Sequence, residues 1–402
     1  MSWLELVHIK QLNTMIYSIP YMIFLVFLLV LAVIASEKKE DKALFHNINR
    51  LGIVSFLVFF GCRGYIWHDW TVYAHLFGNI SWSDLLSYNY FKHTEPLWLV
   101  YELVCKTIVD NYYFLAFVSS LINTILLVRF FSRYSISVLF ALATYVAFSG
   151  FEISINLMRN SMAMFIVLNA LPYIEEKKFW KYLLMCGIAM GIHLSSIIYI
   201  PLYFILNRRV NKWVFFAAVL IGNAVLFSNI AFILKLAEAI GFSNEIITAK
   251  IEIYSDFGMF ASSRFVLLQR FIICLLVFLY YDRLTEMSRS NQMFINALMI
   301  YILGSYLTSE FSEMSNRIGI LFSFSFWILC GYLVKCFYYV NNRRLFMLFI
   351  GFVLMFNTYI TTSENIKEYQ NWLFGTAESY EAKRNFYNKN FVETKQINSD
   401  KK

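Results

Sequence analysis

Long apolar runs alternate with short polar loops along almost the whole chain. Most of these runs reach the ~20 residues that an α-helix needs to cross ~30 Å of hydrocarbon, and they lack the alternation over ~10 residues that marks a membrane β-strand. Because backbone groups in lipid have to be bonded within their own segment, the pattern predicts an all-α polytopic membrane protein. Ten full spans are predicted, near residues 15–35, 51–67, 111–131, 134–152, 154–174, 213–235, 263–281, 291–309, 316–339 and 344–362.

The apolar run 179–206 is too long for one upright span and too short for two. Gly187, Gly191 and His193 lie near its middle, and Pro201 follows. We therefore expect a broken hairpin that turns back at membrane depth, where irregular backbone is tolerated if protein or a wet cavity surrounds it. Counting this hairpin as two brings the total to about twelve helices.

Composition and charge placement support a membrane protein and give its orientation. Only 15% of the 402 residues are charged and 59% are hydrophobic, whereas a soluble domain has about 25% charged residues. The net charge of +8 does not indicate nucleic-acid binding, because the cations fall in short clusters between runs. By the positive-inside rule these clusters mark the inner loops. They lie at 37–42, 129–133, 175–181, 207–212, 282–289 and 341–344.

The last predicted span ends at residue 362, so the chain divides into one transmembrane domain, 1–362, and a polar, charge-mixed tail, 363–402. The loops 68–110 and 236–262 are predicted to face outward, and span parity puts the tail outside as well. Cations follow the first run rather than precede it, so we expect an uncleaved span with its N-terminus outside.

Part of the first outer loop has helical periodicity. Thr94 suits an N-cap and Pro96 a first turn. Glu102 lies off the apolar stripe, so the pattern predicts a short helix on the outer membrane surface with Glu102 facing away from its apolar side. The stripe consists of Leu97, Val100, Tyr101, Val104 and Ile108.

Several arginines are predicted at the outer side, within or beside spans, where a central charge costs ~2.5–3.5 kcal/mol on insertion scales. They are Arg63, Arg159, Arg264, Arg270 and Arg317. Either neighbouring carboxylates neutralise them or they bind an anion, since the forked donors of arginine suit phosphate. The candidate carboxylates are Glu95, Glu152, Glu310 and Glu313.

Metal and nucleotide chemistry find little support in the sequence. His68, His75 and His93 share the first outer loop with Asp69 and Asp84, but the spacing matches no zinc pattern. The six cysteines form no C-x-x-C pair, and there is no Gly-rich phosphate loop. We expect neither a metal site nor a cofactor.

Five short segments together resemble the EpsG/Wzy-type bacterial polysaccharide polymerases. Arg63, Asp69, Trp70 and Tyr73 are spaced as in that family's R…G-x-D-[YW]-x-x-Y block. The other segments follow in the family's order: "EPLWLVYELV" from Glu95, "NLMRNSMAMFIV" around Arg159, "GIHLSSIIYIP" around His193, and "SNRIGILF" with Arg317. Trp67, His68 and Asn160 depart from the pattern, where the family usually has Gly, Thr and Gln.

The resemblance implies a GT-C-like glycosyltransferase of the bacterial inner membrane, with a metal-independent active site facing the periplasm or exterior. Such enzymes move a growing chain from undecaprenyl diphosphate onto the next lipid-linked repeat unit, and so build O-antigen for lipopolysaccharide, capsule or exopolysaccharide. The implied partners are the undecaprenyl-diphosphate-linked oligosaccharide and membrane lipid. A chain-length regulator protein is a further candidate, and nucleic acid is not one.

Chemistry of this kind needs cations for the departing diphosphate and a base for the attacking hydroxyl. We assign Arg159 and Arg317 to the diphosphate, with Arg63, Arg264 and Arg270 as secondary candidates and Tyr73 and Asn160 as further substrate contacts. Asp69, Glu95 and His193 compete as the base. Each residue also has a structural alternative: an ion pair, a solvated loop carboxylate, a histidine bonded to backbone, or an interfacial aromatic belt.

Three other functions remain open at this stage. A flippase would use cations too, but alternating access predicts charges through the whole depth and repeats between halves, neither of which the sequence shows. An O-acyltransferase would place its donor site inward, where only lysine and arginine clusters lie. An O-antigen ligase shares the same electrostatics as a polymerase.

Overall fold

Every regular element that the computed structural model describes is helical, and the described residues are 3–89, 93–228 and 264–389. The first half contains α1 Trp3–Glu37, α2 Lys42–Gly61, α3 Trp70–Asn79, α4 Trp82–Leu86, α5 Pro96–Ile108, α6 Tyr112–Tyr134, α7 Val138–Tyr145, α8 Phe151–Ile155, α9 Met158–Leu168, α10 Leu171–Glu175, α11 Phe179–Ile192, α12 Leu202–Ile205 and α13 Lys212–Ser228. The second half contains α14 Arg264–Leu279, α15 Tyr281–Met287, α16 Asn291–Leu307, α17 Ser312–Phe322, α18 Phe324–Cys336, α19 Val340–Thr362 and α20 Tyr380–Tyr387. Shorter turns lie between these helices: a distorted π-helical turn at Val146–Gly150, and 3₁₀ turns at Leu194–Tyr199 and Asn365–Lys367.

Within these ranges, five helices are long and apolar enough to cross a membrane, and the number rises to seven if two bent pairs each count as one span. The five are Met15–Glu37, Lys42–Gly61, Tyr112–Tyr134, Val138–Ile155 and Val340–Thr362, and the bent pairs are Arg264–Leu279 with Tyr281–Met287 and Met314–Phe322 with Phe324–Cys336. The all-helical membrane fold is thus confirmed, with fewer uninterrupted spans than the ten predicted. The predicted outer loop 236–262 and residues 229–235 lie outside the described residues.

The predicted span 154–174 shows why the helices are shorter than the apolar runs. It is divided into α8, α9 and α10, with breaks at Asn156–Leu157 and at Asn169–Ala170. The Asn169 side chain donates to the carbonyls of Phe165 and Leu126, and so competes with the backbone ladder as mid-helix polar side chains do. Hydropathy reports the apolar length of a run but not such interruptions.

The basic clusters meet at one end of the bundle, which we call the basic end. Arg133 pairs with Glu175 at 3.2 Å, and Lys212 pairs with Asp282 at 2.7 Å. Asn296 Nδ2 donates to the carbonyls of residues 205, 206 and 208 and so holds the 207–212 loop against α16. Loops that the charge pattern assigns to one side therefore lie together.

The segment 179–206 reverses direction at His193. Helix α11 ends at Ile192, and the chain returns through the 3₁₀ turn Leu194–Tyr199 and α12. The Tyr182 hydroxyl donates to the carbonyl of Tyr199 at an oxygen–oxygen distance of 2.7 Å, and this bond holds the two arms side by side. The tip of this hairpin lies at the end of the bundle opposite the basic end, which we call the site end.

The tail returns to the site end after α19 stops at Thr362. Backbone N–H groups of Gly64 and Trp67 donate to the carbonyls of Gln370 and Ile366, and Trp372 N–H donates to the carbonyl of Cys62. The stretch after α2 is therefore fixed by the tail.

Candidate functional site

The N-terminus of α5 places a carboxylate at the hairpin tip. Pro96 occupies the first helical position, so Glu95 becomes the N-cap, with the extended backbone (ψ 144°) expected of a residue before proline. Gly191 lets the hairpin pack closely against α5, because a Cβ at this position would lie 2.6 Å from the Leu97 side chain. The predicted N-cap, Thr94, lies one residue too early.

Glu95 joins two of the residues that the sequence singles out. Its Oε2 accepts from an Arg159 guanidinium nitrogen at 2.7 Å, and its Oε1 lies 3.0 Å from His193 Nδ1. The backbone N–H of Leu194 also donates to Oε1 at 3.0 Å. Only 12% of the Glu95 side chain is exposed, so a largely buried carboxylate links α5, α9 and the hairpin tip.

Its environment keeps Glu95 ionised. Burial raises the pKa of the carboxyl, but the bonds from His193 and the Leu194 N–H, together with the Arg159 charge, outweigh burial and lower the pKa to about 2. A carboxylate with so low a pKa is a weak proton acceptor. Glu95 is therefore suited to orient Arg159 and His193 rather than to act as the base.

Arg159 is oriented but retains donor capacity. It is the second residue of α9, and its side chain is 24% exposed. Its guanidinium carbon lies 5.8 Å from the centre of the Tyr73 ring, within cation–π range, and its buried Nε has no hydrogen-bond partner. Asp69 acts on the same Tyr73 through its charge. The structure thus brings four predicted residues, Glu95, His193, Arg159 and Tyr73, into one cluster, which we call the Glu95 cluster, with Asp69 close to it.

Sequence reasoning missed a second carboxyl, Glu102. The buried face of α5 is formed by Trp98, Leu99, Glu102, Leu103 and Cys105. Glu102 is fully buried; its carboxylate oxygens make no hydrogen bond of regular geometry, and the Trp98 indole lies close enough to act on the carboxyl. The predicted apolar stripe lies instead on the more exposed side, with Ile108 66% exposed. A glutamate at a heptad spacing from Glu95 was the available signal, because residues seven apart share a helix face.

Glu102 holds its proton near neutral pH. Burial raises the pKa of its carboxyl to about 7; the Trp98 indole and the Arg159 charge oppose this rise, and the Glu95 charge adds to it. Two carboxyls therefore share one arginine in different protonation states below pH 7, with Glu95 ionised and Glu102 largely neutral. The negative charge held against Arg159 consequently comes from Glu95.

We expect the Glu102→Gln variant to lack a loss of folding stability that the wild-type protein undergoes as the pH rises to about 7. The folded-state pKa lies above the ordinary 4.5, so the wild-type protein loses stability as pH rises from about 4.5 through about 7. The shift corresponds to about 3 kcal/mol. Thermal unfolding in detergent should show the variant gaining on the wild type at pH 8.5 relative to pH 5. Glu381→Gln, at an exposed glutamate, is the matched control, and parallel pH profiles for wild type and Glu102→Gln would contradict the expectation.

More buried polar atoms without partners surround the cluster. They are Thr94 Oγ1, Trp98 Nε1, Asn160 Oδ1, Ser195 Oγ and Ser196 Oγ. Each belongs to α5 or the residue before its cap, to α9, or to the hairpin tip. Since buried polar groups normally find partners, this concentration indicates a place where a polar ligand supplies the missing bonds.

The comparison with known protein families agrees with the motifs. The EpsG family model matches residues 48–373, well over half of the chain, and the match includes all four residues of the Glu95 cluster. The chain belongs to the EpsG family. No curated protein and no solved structure matches it. Membership confirms the resemblance drawn from the five segments and indicates a polysaccharide polymerase-type, glycosyltransferase-like membrane protein.

A separate polar cavity of about 210 Å³ lies between membrane helices of this EpsG family protein. Arg270 lines it, lying 5.4 Å from the centre of the Tyr301 ring. Ser149, in the irregular turn after α7, has a left-handed φ of 77°, the kind of backbone strain that clusters at functional sites. The remaining polar lining residues are Glu152, Asn316, Ser323, Asn357 and Thr361. Arg270 therefore reaches a small polar space that shares no lining residue with the Glu95 cluster.

None of the other predicted arginines is among the residues that line this cavity. Arg63 is 3% exposed and donates to the carbonyl of Phe60 and to Ser120 Oγ, so it ties the last turn of α2 to α6. Arg264 and Arg317 are exposed, at the start of α14 and within α17. Their assignment to the substrate stays a prediction.

The predicted outer loop 68–110 keeps its histidines separate. His68 contacts Tyr387 of the tail, and His75 lies beside Asn79 on α3. His93 pairs with Asp84 at 3.8 Å. In the described part of the chain, no three metal-ligating side chains come together. All six cysteines there are buried and unpaired.

Proposed function

We propose that this protein polymerises lipid-linked oligosaccharide repeat units, using undecaprenyl diphosphate-linked chains as donor at the outer face of a bacterial inner membrane. The observation that carries the proposal is the contact of one buried carboxylate, Glu95, with both Arg159 and His193. Family membership supports a polysaccharide product. The proposal also includes ten spans plus the hairpin, a GT-C-like architecture and a reaction that needs no metal ion.

Each member of the Glu95 cluster has a role in the proposed reaction. The acceptor hydroxyl oxygen attacks the anomeric carbon of the donor sugar, and the bond from that carbon to the diphosphate oxygen breaks with its electron pair. Arg159 stabilises the charge on the departing diphosphate. His193 takes the hydroxyl proton at Nε2, because Nδ1 is held by Glu95. A carboxylate that fixes the tautomer and ring orientation of a histidine makes its other nitrogen an acceptor.

Orientation is part of the proposal, and the charge pattern supports it. The basic end faces the cytoplasm by the positive-inside rule, so the Glu95 cluster and the tail face outward. A cysteine introduced at the exposed position Glu378 should react with an impermeant thiol reagent added to intact cells. Reaction only after the cells are opened would contradict this orientation.

Purified protein in proteoliposomes should convert lipid-diphosphate-linked repeat units into a ladder of longer chains that remain on the lipid diphosphate. A ligase would move the sugar to a different acceptor lipid, and a flippase would leave chain length unchanged. A transfer product on lipid A core without any ladder, or transbilayer movement without elongation, would overturn the polymerase proposal. We expect neither ligase nor flippase activity alongside elongation, because the proposed reaction uses a single cluster.

A further inference from the structure

A groove at the basic end has a chemistry that the proposed reaction does not use. It has a volume of about 330 Å³, within the ~300–1,000 Å³ of ordinary ligand sites. Its walls come from α1, α7, α18 and α19, and they are largely apolar, with Leu29, Phe140, Trp327, Ile350 and Leu354 among the lining residues. The only indole N–H on its wall is engaged, since Trp327 donates to the carbonyl of Phe148.

Two lysines stand at the mouth of this groove. Lys39 and Lys335 both line it, and both are exposed. The charges of Lys39 and Arg343 act together on Lys335, so three cations lie close to one another. In the described part of the chain neither lysine has an ion-pair partner, although Glu37 and Glu40 are close in sequence to Lys39. A cationic mouth on an apolar groove complements a molecule with one anionic head and a hydrocarbon tail.

The backbone leaves room for such a tail. Gly351 lies on the groove wall, and a Cβ built there would meet no atom within 4 Å. Gly331 faces the same space, with only Phe140 within 4 Å of its Cβ position, at 3.7 Å. Lysine side chains reach from an apolar surface toward a head group while their stems stay in the hydrocarbon. The groove is thus open along its length, with its cations at one end.

We propose that this groove binds one anionic glycerophospholipid of the leaflet at the basic end, with the phosphate against Lys39 and Lys335 and an acyl chain along α19. An isoprenoid substrate is a different occupant: under the proposed function its diphosphate reacts at the site end, at the opposite end of the bundle. The lipid site does not depend on the proposed function, because it is built from residues that the Glu95 cluster does not touch.

The test is lipid binding by the purified full-length protein in nanodiscs of neutral phosphatidylcholine, measured by native mass spectrometry with added phosphatidylglycerol. The wild type should retain phosphatidylglycerol in preference to phosphatidylcholine. Each lysine near an anionic surface is worth roughly a fivefold change in binding. Lys39→Ala with Lys335→Ala should therefore abolish the preference, and Gly351→Leu should reduce binding of both lipids by filling the groove.

Matched controls lie at the same end and on another helix. Lys177→Ala with Lys181→Ala removes two cations of the 175–181 cluster and should leave the preference intact. Gly187→Leu adds the same side chain at a helical glycine that also has open space around its Cβ position. Equal retention of the two lipids by the wild type, or an unchanged preference in the double lysine variant, would overturn the proposal. So would preferential retention of undecaprenyl phosphate that Gly351→Leu abolishes.

Discussion

Replacing Arg159 by alanine is expected to abolish long-chain product, with a fall of at least about 1,000-fold in the rate of chain extension. Loss of a single preorganised donor to a developing oxyanion costs about 100- to 1,000-fold in well-studied enzymes, and Arg159 offers a permanent charge as well. The change also leaves Glu95 without its arginine partner at 2.7 Å. Extension by purified protein, followed as a ladder of lipid-linked chains, gives the rate.

The lysine variant separates charge from geometry. Arg159→Lys keeps the cation but loses the planar fork that can hold two phosphate oxygens, so we expect intermediate activity. Arg344→Ala, an exposed arginine at the basic end, is the control for the loss of one cation. A normal distribution of chain lengths from Arg159→Ala would remove Arg159 from the diphosphate site.

The second large effect is expected at the hairpin tip, where His193→Ala should lower extension by about 100- to 10,000-fold, the usual contribution of a positioned acid or base. Glu95→Gln keeps the shape of the side chain but removes the charge that fixes Arg159 and His193, and it should also lower activity. Because Glu95 acts partly through His193 and partly through Arg159, the double variant should lose less activity than the product of the two single losses.

The double-mutant comparison distinguishes this arrangement from two independent contributions. If the effects of His193→Ala and Glu95→Gln multiply, Glu95 does not act through His193. His75→Ala removes an imidazole that lies beside Asn79 on α3, and it should leave extension unchanged. Full activity in His193→Ala would show that His193 is not the base and would leave Asp69 as the remaining predicted candidate.

The sequence predicted the residues of the candidate site better than it predicted the number of membrane spans. The sequence indicated an arginine-rich outer side, because charges inside apolar runs are costly and rare enough to be informative. It indicated a break near His193 because the run 179–206 is too long for one upright span and too short for two. Which carboxylate meets which arginine could not be predicted, since Glu95 and Arg159 are far apart in sequence. That contact depends on how α5 packs against α9 and the hairpin.

Glu102 shows a limit of reasoning from hydrophobic periodicity in membrane proteins. In water, the apolar stripe of a helix faces the protein core. In lipid the surroundings are as apolar as the core, and polar groups turn inward. On α5 the stripe with Val104 and Ile108 is the more exposed side, and Glu102 is buried. Periodicity placed Glu102 off the apolar stripe, where the structure has it, but it did not show that the side opposite the stripe packs against protein.

The junction between residues 62–67 and the tail has a consequence for biogenesis. The carbonyl of Cys62 and the N–H groups of Gly64 and Trp67 are all bonded to backbone groups of residues 366–372. The ribosome synthesises that partner segment only after helices α2 to α19. The turn that carries Arg63 and leads to Asp69 therefore cannot reach its final arrangement until residues 366–372 have been made and have returned to this end of the bundle.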